Sequence, residues 1–444
     1  MGERRMRRWV LISAIAAASC ANAASAKDGA LTVDLSVRAR IEAIDGQFRP
    51  LIPASDAALL LKTDLAIDYD AGPLILGGEI IDSRSYFQRS RSSISTTEVN
   101  ALEPVQAYIK TDFGGRFQAQ FGRFTLNLGG RRLVARSVYR NTTNAFTGAR
   151  FDLRSRGGDS ATLFWTLPQT RLPEDRDGLG HAVVQLDRER TGLQFFGGIV
   201  TSRPFNGTVI EAYLYRLTEH DAPGILTRDR QLWVPGTRIV HKPAAGRADF
   251  EVEAIWQGGT THASTAASDI TALPVSAWAV HGQIGETFTA AWKPRLALAV
   301  DYGSGDRPGG HYTRFDTLFG ARVFEFGPTS LYGAVSRQNL ASIEALAEVT
   351  PDKSWDGRLA VRPLWLADAR DSFAATGVRD PAGGAGRYAG TQIDLRARYW
   401  LLPKRARLSA GYTHLFKGGF LTNAANAPAT GDTNYGFMEM TLTL

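Results

Sequence analysis

From Leu31 to Ile41 every odd position is apolar (Leu31, Val33, Leu35, Val37, Ala39, Ile41), while the even ones are Thr32, Asp34, Ser36, Arg38 and Arg40. A period of two places the two sets on opposite faces of one strand. The same pattern returns along the chain. Leu61, Leu65, Ile67 and Tyr69 oppose Lys62, Asp64 and Asp68; Ala161, Leu163, Trp165 and Leu167 oppose Ser160, Thr162 and Thr166. Phe250, Val252, Ala254 and Trp256 oppose Glu251 and Glu253, and Leu296, Leu298, Val300 and Tyr302 follow. Towards the end, Ile393, Leu395, Ala397 and Tyr399 oppose Asp394, Arg396 and Arg398. Ala406, Leu408, Ala410 and Tyr412 oppose Arg405, Arg407 and Ser409. Met438, Met440, Leu442 and Leu444 oppose Glu439, Thr441 and Thr443.

At about ten residues per tilted strand, this patterning predicts about 18 strands, with 16 as the alternative. His181 to Asp187, Leu232 to Val240 and Val275 to Gln283 are the least regular. Several polar faces carry two or three ionisable groups in register. A water-filled lumen solvates such groups at little cost while the apolar faces meet lipid; a sandwich would need one core common to all of them. Tyr69, Trp165, Trp256, Tyr302 and Tyr399 fall near strand ends, as interfacial girdles require. Asp70 to Pro73, Asp112 to Gly115 and Leu402 to Lys404 read as tight turns. Ser83 to Pro104, Gln257 to Pro274, Asp371 to Gly390 and Gly418 to Asn434 read as long polar loops. The expectation is an all-β, transmembrane, antiparallel up-and-down barrel, with no internal repeat or linker.

The N-terminus supplies an address. Arg4, Arg5, Arg7 and Arg8 precede an apolar stretch from Trp9 to Ala18 that is too short to span a bilayer, and Ala24-Ser25-Ala26 offers a cleavage site. Residues 1–26 are thus expected to be a secretory signal peptide and 27–444 the barrel. The single cysteine, Cys20, lies in that peptide, so the mature chain uses no disulfide. The formal charge of +7 falls to +4 once Arg4, Arg5, Arg7, Arg8 and Glu3 are removed. A small excess of this kind is no nucleic-acid signature, and any functional charge must be local.

The densest local charge runs from Gly122 to Phe151. Phe117, Ala119 and Phe121 oppose Arg116, Gln118 and Gln120 on the way in; Ala149, Phe151 and Leu153 oppose Arg150, Asp152 and Arg154 on the way out. Between them lie Arg123, Arg131, Arg132, Arg136 and Arg140, then Asn141 and Asn144. Guanidinium groups grip carboxylate or phosphate through paired hydrogen bonds, so such a run suits an anionic polymer. A solvated basic loop is the plainer reading of the same residues.

The order GR-x-x-L-N-L-GG-R-R-L, then RN-x-x-N-A-F-x-G-x-R, resembles the alginate-export family of bacterial outer-membrane barrels. The resemblance extends to D-Y-x-S-G-D from Asp301, F-D-x-L-F from Phe315, and Y-G-x-x-x-x-x-N ending at Asn339. It continues from Trp365 through W-L-A-x-A-R-D-S-F and G-V-R-D-P-A-G-G-A-G to Tyr412. The final residue, Leu444, departs from the Phe that usually closes such barrels. The resemblance implies a monomeric diffusion channel in the Gram-negative outer membrane, passing an anionic oligo- or polysaccharide such as alginate. Outer-membrane lipid and the barrel-assembly machinery are the other expected partners, with periplasmic export or uptake components beside them.

Catalytic signatures are missing from the sequence. The seven histidines show no metal-ligand spacing and no G-x-S-x-G elbow occurs. No cofactor or metal is expected. Asp301 with Asp306 is a weak Ca²⁺ pair, and Glu251 with Glu253 is read as lumen lining. A barrel enzyme acting on lipid or polysaccharide, and a non-conducting adhesive barrel, are the alternatives. The expected substrate path comprises Arg116, Arg123, Arg131, Arg140, Asn141, Arg150, Asp152, Arg358, Arg362, Asp394, Arg396 and Arg398. Strand members are chosen by face, and those of the basic loop through the family resemblance.

Overall fold

The protein is described by a computed structural model covering residues 30–444 apart from Asn206, so the expected signal peptide lies outside the described residues. In chain order the strands are β1 (Ala30–Asp45), β2 (Ser55–Asp70), β3 (Leu74–Tyr86), β4 (Asn100–Phe113), β5 (Phe117–Phe124) and β6 (Phe146–Arg154). Next come β7 (Ser160–Pro168), β8 (Leu193–Phe205), β9 (Thr208–Glu219), β10 (Gln231–His241), β11 (Arg247–Thr261) and β12 (Leu273–Thr287). The last six are β13 (Arg295–Gly303), β14 (Leu340–Val349), β15 (Trp355–Trp365), β16 (Tyr388–Leu402), β17 (Ala406–Lys417) and β18 (Thr433–Thr443). Three short helices, α1 (Arg176–His181), α2 (Val323–Phe326) and α3 (Gly419–Asn423), lie in the connections.

Each strand pairs antiparallel with its neighbours in sequence, and β18 returns to β1 in a register running from Ser36 opposite Thr443 to Asp45 opposite Asn434. The sheet is closed, which leaves no unpaired edge in the hydrocarbon layer. Leu444 completes the seam: its amide donates to the Leu35 carbonyl at 2.8 Å. The 18-strand count is therefore observed, not the 16-strand alternative.

The alternation sorts as the sequence demands. On β1 Ile41 is 61% exposed on the outer surface, whereas Arg40 and Glu42 are fully enclosed. One end of the barrel carries the tight turns, at 71–73, 114–116 and 403–405 among others. Asp70 and Asp112 build two of them by accepting from the Gly72 amide at 2.8 Å and the Gly115 amide at 2.6 Å. Both glycines sit at positive φ, which a side chain would resist. The other end carries the long connections, including 87–99, 125–145, 169–192, 304–339 and 366–387.

One expected strand is not there. His181 to Asp187 begins on the last residue of α1, whose start is capped by Asp175 accepting from the Gly178 amide at 2.8 Å. The ladder explains the difference: β7 and β8 pair directly with one another, so no strand edge is left for the segment between them. Leu232 to Val240 and Val275 to Gln283 do form strands, within β10 and β12.

Two long connections turn inward and meet. In a parallel bridge between 125–145 and 304–339, the Ala135 amide donates to Phe319 O at 3.1 Å and the Phe319 amide to Leu133 O at 2.9 Å. Around this junction Phe124, Phe146, Phe164, Phe195, Tyr215 and Phe315 form a buried cluster inside the barrel.

Candidate functional site

The basic loop crosses the bore from wall to wall. Gly129 (φ 52°) and Gly130 turn it at the β11 wall; a Cβ on Gly130 would lie 2.6 Å from Glu253 Oε2. Arg132, two residues on, pairs with Glu251 at 2.5 Å, with Glu253, and with Glu325 of α2 at 2.6 Å. Burial pulls the Arg132 guanidinium down, but Glu253 and Glu251 outweigh it and hold the group above its ordinary value. Arg132 is therefore an anchor.

At the opposite wall Arg136 pairs with Glu79 of β3 and with Asp64 of β2 at 3.1 Å. Arg38 donates to Val138 O at 2.7 Å and Arg140 O at 2.9 Å, and Arg40 donates to Tyr139 O at 2.7 Å. The Asn141 amide closes the attachment by donating to Leu61 O at 2.9 Å and Glu98 O at 3.0 Å. β11 and β1 to β3 lie on opposite sides of the ring, so 125–145 is a crossbar held at both ends.

Beside it, on the side of the tight turns, opens a cavity of about 440 Å³. Arg358, Arg396, Arg398 and Arg407 reach it from β15 to β17, Arg295 from β13 and Arg38 from β1, against Glu325, Glu344, Glu348 and Glu439. The pairing is uneven. Arg358 is bound to Glu344 at 2.8 Å, while Glu439 is shared by Arg407 at 3.0 Å, Arg40 at 3.2 Å and Arg38 at 3.7 Å. Arg396 and Arg398 share the single carboxylate of Asp356, at 3.9 and 2.8 Å, and both stay about a third open to the lumen.

The structure divides the predicted residues. Arg358, Arg396 and Arg398 line the cavity together. Arg362 lies behind it, bonded to Asp301 at 2.6 Å and to Glu344, and Asp394 accepts from Thr413 at 2.9 Å. Arg150 and Asp152 pair with each other at 2.8 Å on β6, away from these walls. Arg131 is exposed on the crossbar, stacked 3.6 Å from the Phe324 ring centroid. Arg123 is engaged with Glu103 at 2.6 Å. Arg116, chosen for the path, sits exposed in the tight turn after β4, because the strand has already ended there. Asn141 is a fastener whose donors are used by Leu61 O of the wall and Glu98 O of loop 87–99.

Sequence reasoning missed Arg38, Arg295, Arg407 and Glu439. Arg38, Arg407 and Glu439 share the inward faces already recognised on their strands, so parity would have found them. Glu325 and Phe324 belong to α2, a single short turn inside a long connection, where no periodicity marks direction.

The acidic residues considered for a cation are committed elsewhere. Asp301 is held by Arg362 and by His281 at 2.8 Å. Asp306 accepts from the Thr313 amide at 3.0 Å. Among the described residues His281, Asp301 and Glu325 come close enough to share an ion, but Arg362, Arg132 and Arg337 already neutralise those carboxylates.

Solved outer-membrane barrels share this architecture. OccK8 (OprE) of Pseudomonas aeruginosa aligns with a TM-score of 0.59 at 9% identity, over 93% of this chain and 98% of that one. OccAB1 of Acinetobacter baumannii aligns with a TM-score of 0.59 at 12% identity, over 93% and 96%. OccK2 (OpdF) of Pseudomonas aeruginosa, solved in complex with glucuronate, gives 0.57 at 11% identity, over 93% and 96%. No curated protein matches the chain by sequence. The family description alginate export, in contrast, matches residues 30–433, nearly the whole barrel. The closed sheet, its outward apolar face and the family match make this protein an outer-membrane channel, and it belongs to the alginate-export family.

Proposed function

We propose that the channel passes an anionic, uronate-type oligo- or polysaccharide by diffusion, as a monomer and without catalysis. The observation that carries this reading is the uneven pairing of Arg396 and Arg398 on the open cavity, where two guanidiniums share Asp356. Each retains capacity to greet a passing carboxylate, while Asp356 limits how tightly it can hold one. A polymer in transit needs many weak contacts, since one deep well would stall it. Arg407, Arg358 and Arg38 continue the basic surface along the same wall. The flux carries out export or uptake according to which periplasmic components the channel meets. The barrel solved with glucuronate shares the fold, and its ligand belongs to the substrate class proposed here.

Planar-bilayer recording tests the reading. In a KCl gradient the reversal potential should report anion preference, and oligouronates should block the open channel where neutral oligosaccharides do not. Reversing both charges (Arg396→Glu with Arg398→Glu) should move selectivity towards cations and weaken the block at least tenfold. Arg91→Glu, in the exposed loop 87–99, should leave both unchanged. Cation preference in the unaltered channel would overturn the proposal.

A further inference from the structure

Four guanidiniums from four separate loops lie in two pairs at the long-loop end, and among the described residues no carboxylate is bound to any of them. Arg140 of the crossbar and Arg171 of loop 169–192 both donate to Asn144 Oδ1, at 2.9 and 2.6 Å, which holds two like charges side by side. Arg49 of loop 46–54 and Arg322 of loop 304–339 meet at Gly333, where a Cβ would lie 3.2 Å from Arg49 Nη2 and 3.7 Å from Arg322 Nη2. All the acceptors of Arg49 are neutral, Leu331 O at 2.9 Å, Tyr332 O at 2.5 Å, and Gln47 Oε1 and Gly333 O at 3.3 Å; Arg171 donates besides to Thr96 O at 2.9 Å and Thr143 O at 3.4 Å. Arg322 donates no hydrogen bond among the described residues. All four keep part of their surface open to water.

The acid within electrostatic reach of all four is Glu98, with Asp187 also near Arg171. Glu98 is already occupied: it accepts from Ser95 at 3.1 Å and from Thr97 at 2.6 Å, and burial followed by the neighbouring Glu42 pushes its carboxyl up. Burial, then Arg171 and Arg322, press the Arg140 guanidinium well below its ordinary value. An arginine does not relieve such pressure by losing its proton. Nor can the loops spread apart, since Asn141 pins the crossbar to the wall and the backbone bridge at Phe319 ties it to 304–339. What remains is a counter-ion from solution.

We propose that Arg49, Arg140, Arg171 and Arg322 form a binding site for a multiply charged tetrahedral oxyanion, of the phosphate or sulfate class, that staples the four loops together. A single carboxylate brings one charge and two oxygens to this cluster. A tetrahedral dianion brings two charges and enough oxygens to take donors arriving from four directions. The site is separate from the wall of Arg396 and Arg398 and stands whether or not the bore passes a polyuronate.

Calorimetric titration of the folded barrel in detergent with inorganic phosphate, in a weakly coordinating buffer, tests it. One saturable site is expected, weakened at least tenfold in Arg140→Gln with Arg322→Gln and within twofold of the original in Arg396→Gln with Arg398→Gln. Phosphate should also slow proteolysis within 125–145. Heat-modifiable gel mobility reports whether each variant is folded. The single variant Arg322→Gln removes a side chain that makes no hydrogen bond among the described residues, so it keeps the test decisive if the double variant misfolds. No saturable binding to the folded barrel, undiminished binding in Arg322→Gln, or loss in the Arg396/Arg398 variant instead, would overturn the site.

Discussion

The inner wall from β5 to β12 and the inner wall from β13 round to β1 belong to the same closed sheet, yet they do opposite things. On the first, besides the charged anchors Glu251 and Glu253, inward positions are Phe164, Phe195, Tyr213, Tyr215, Leu217, Val234 and Ile255, packed against Phe146 and Phe319. Tyr213 and Tyr215 stack at 4.9 Å, and Phe195 meets Phe319 at 5.2 Å. On the second, the inward positions on the tight-turn side are Arg295, Glu344, Arg358, Arg396, Arg398 and Arg407 around open space. The bore holds one dry core against β5 to β12, a second among the long loops around Leu60, Leu364, Leu415 and Tyr435, and a wet passage on the tight-turn side of β13 to β1. Inward-turned loops need something to lean on, and the dry wall supplies it: the crossbar packs on aromatic rings at one side, and its polar anchors fix the other. A barrel of this width would otherwise be an open aqueous channel.

The contrast predicts unequal sensitivity to substitution. The largest effect belongs to the dry wall: Phe195→Ala deletes a fully buried ring and should cost about 3–5 kcal/mol in denaturant unfolding of the refolded barrel. A loss below about 1 kcal/mol would mean that the cluster is not a core. Next comes the outer surface. Leu35→Arg, placed in hydrocarbon, should cost roughly 2–4 kcal/mol and impair assembly, whereas Ser36→Arg on the inward face should not. Equal tolerance of the two would undo the face assignment of β1. The smallest effect is on the wet wall. Arg398→Gln gives up a partly solvated pair with Asp356 and should change stability by no more than about 0.5 kcal/mol, even as it alters ion selectivity. A stability loss rivalling that of Phe195→Ala would erase the distinction between the two walls.

The same contrast explains which strands were hard to read. In β1 and β16 lipid lies outside and water inside, so apolar and polar residues alternate cleanly, as Leu395 and Arg396 do. In β10 and β12 both faces are apolar: Leu232 and Val234 are buried inside while Trp233 faces out, and Ala277 and Ala279 are inside while Trp278 faces out. Alternation fades where the lumen is dry. His181 to Asp187 failed for a different reason, since a short apolar run carries no statement about whether a ladder partner exists.

The chain's own order of residues determined the fold: the period of two, the tight turns at Asp70 and Asp112, the length of the other connections, and the faces of Arg358, Arg396 and Arg398. These are local properties, fixed by how each residue's backbone and side chain meet lipid or water. Tertiary structure decided the fate of the basic loop. Arg123, Arg131, Arg132, Arg136 and Arg140 look alike in sequence, yet they become a rim pair with Glu103, a stacked side chain open to the lumen, two anchors and a member of an unpaired cluster. A guanidinium's role depends on whether a carboxylate is within reach. Glu253, Glu79 and Glu98 are brought to it, or kept from it, only when the sheet closes and the loop crosses the bore.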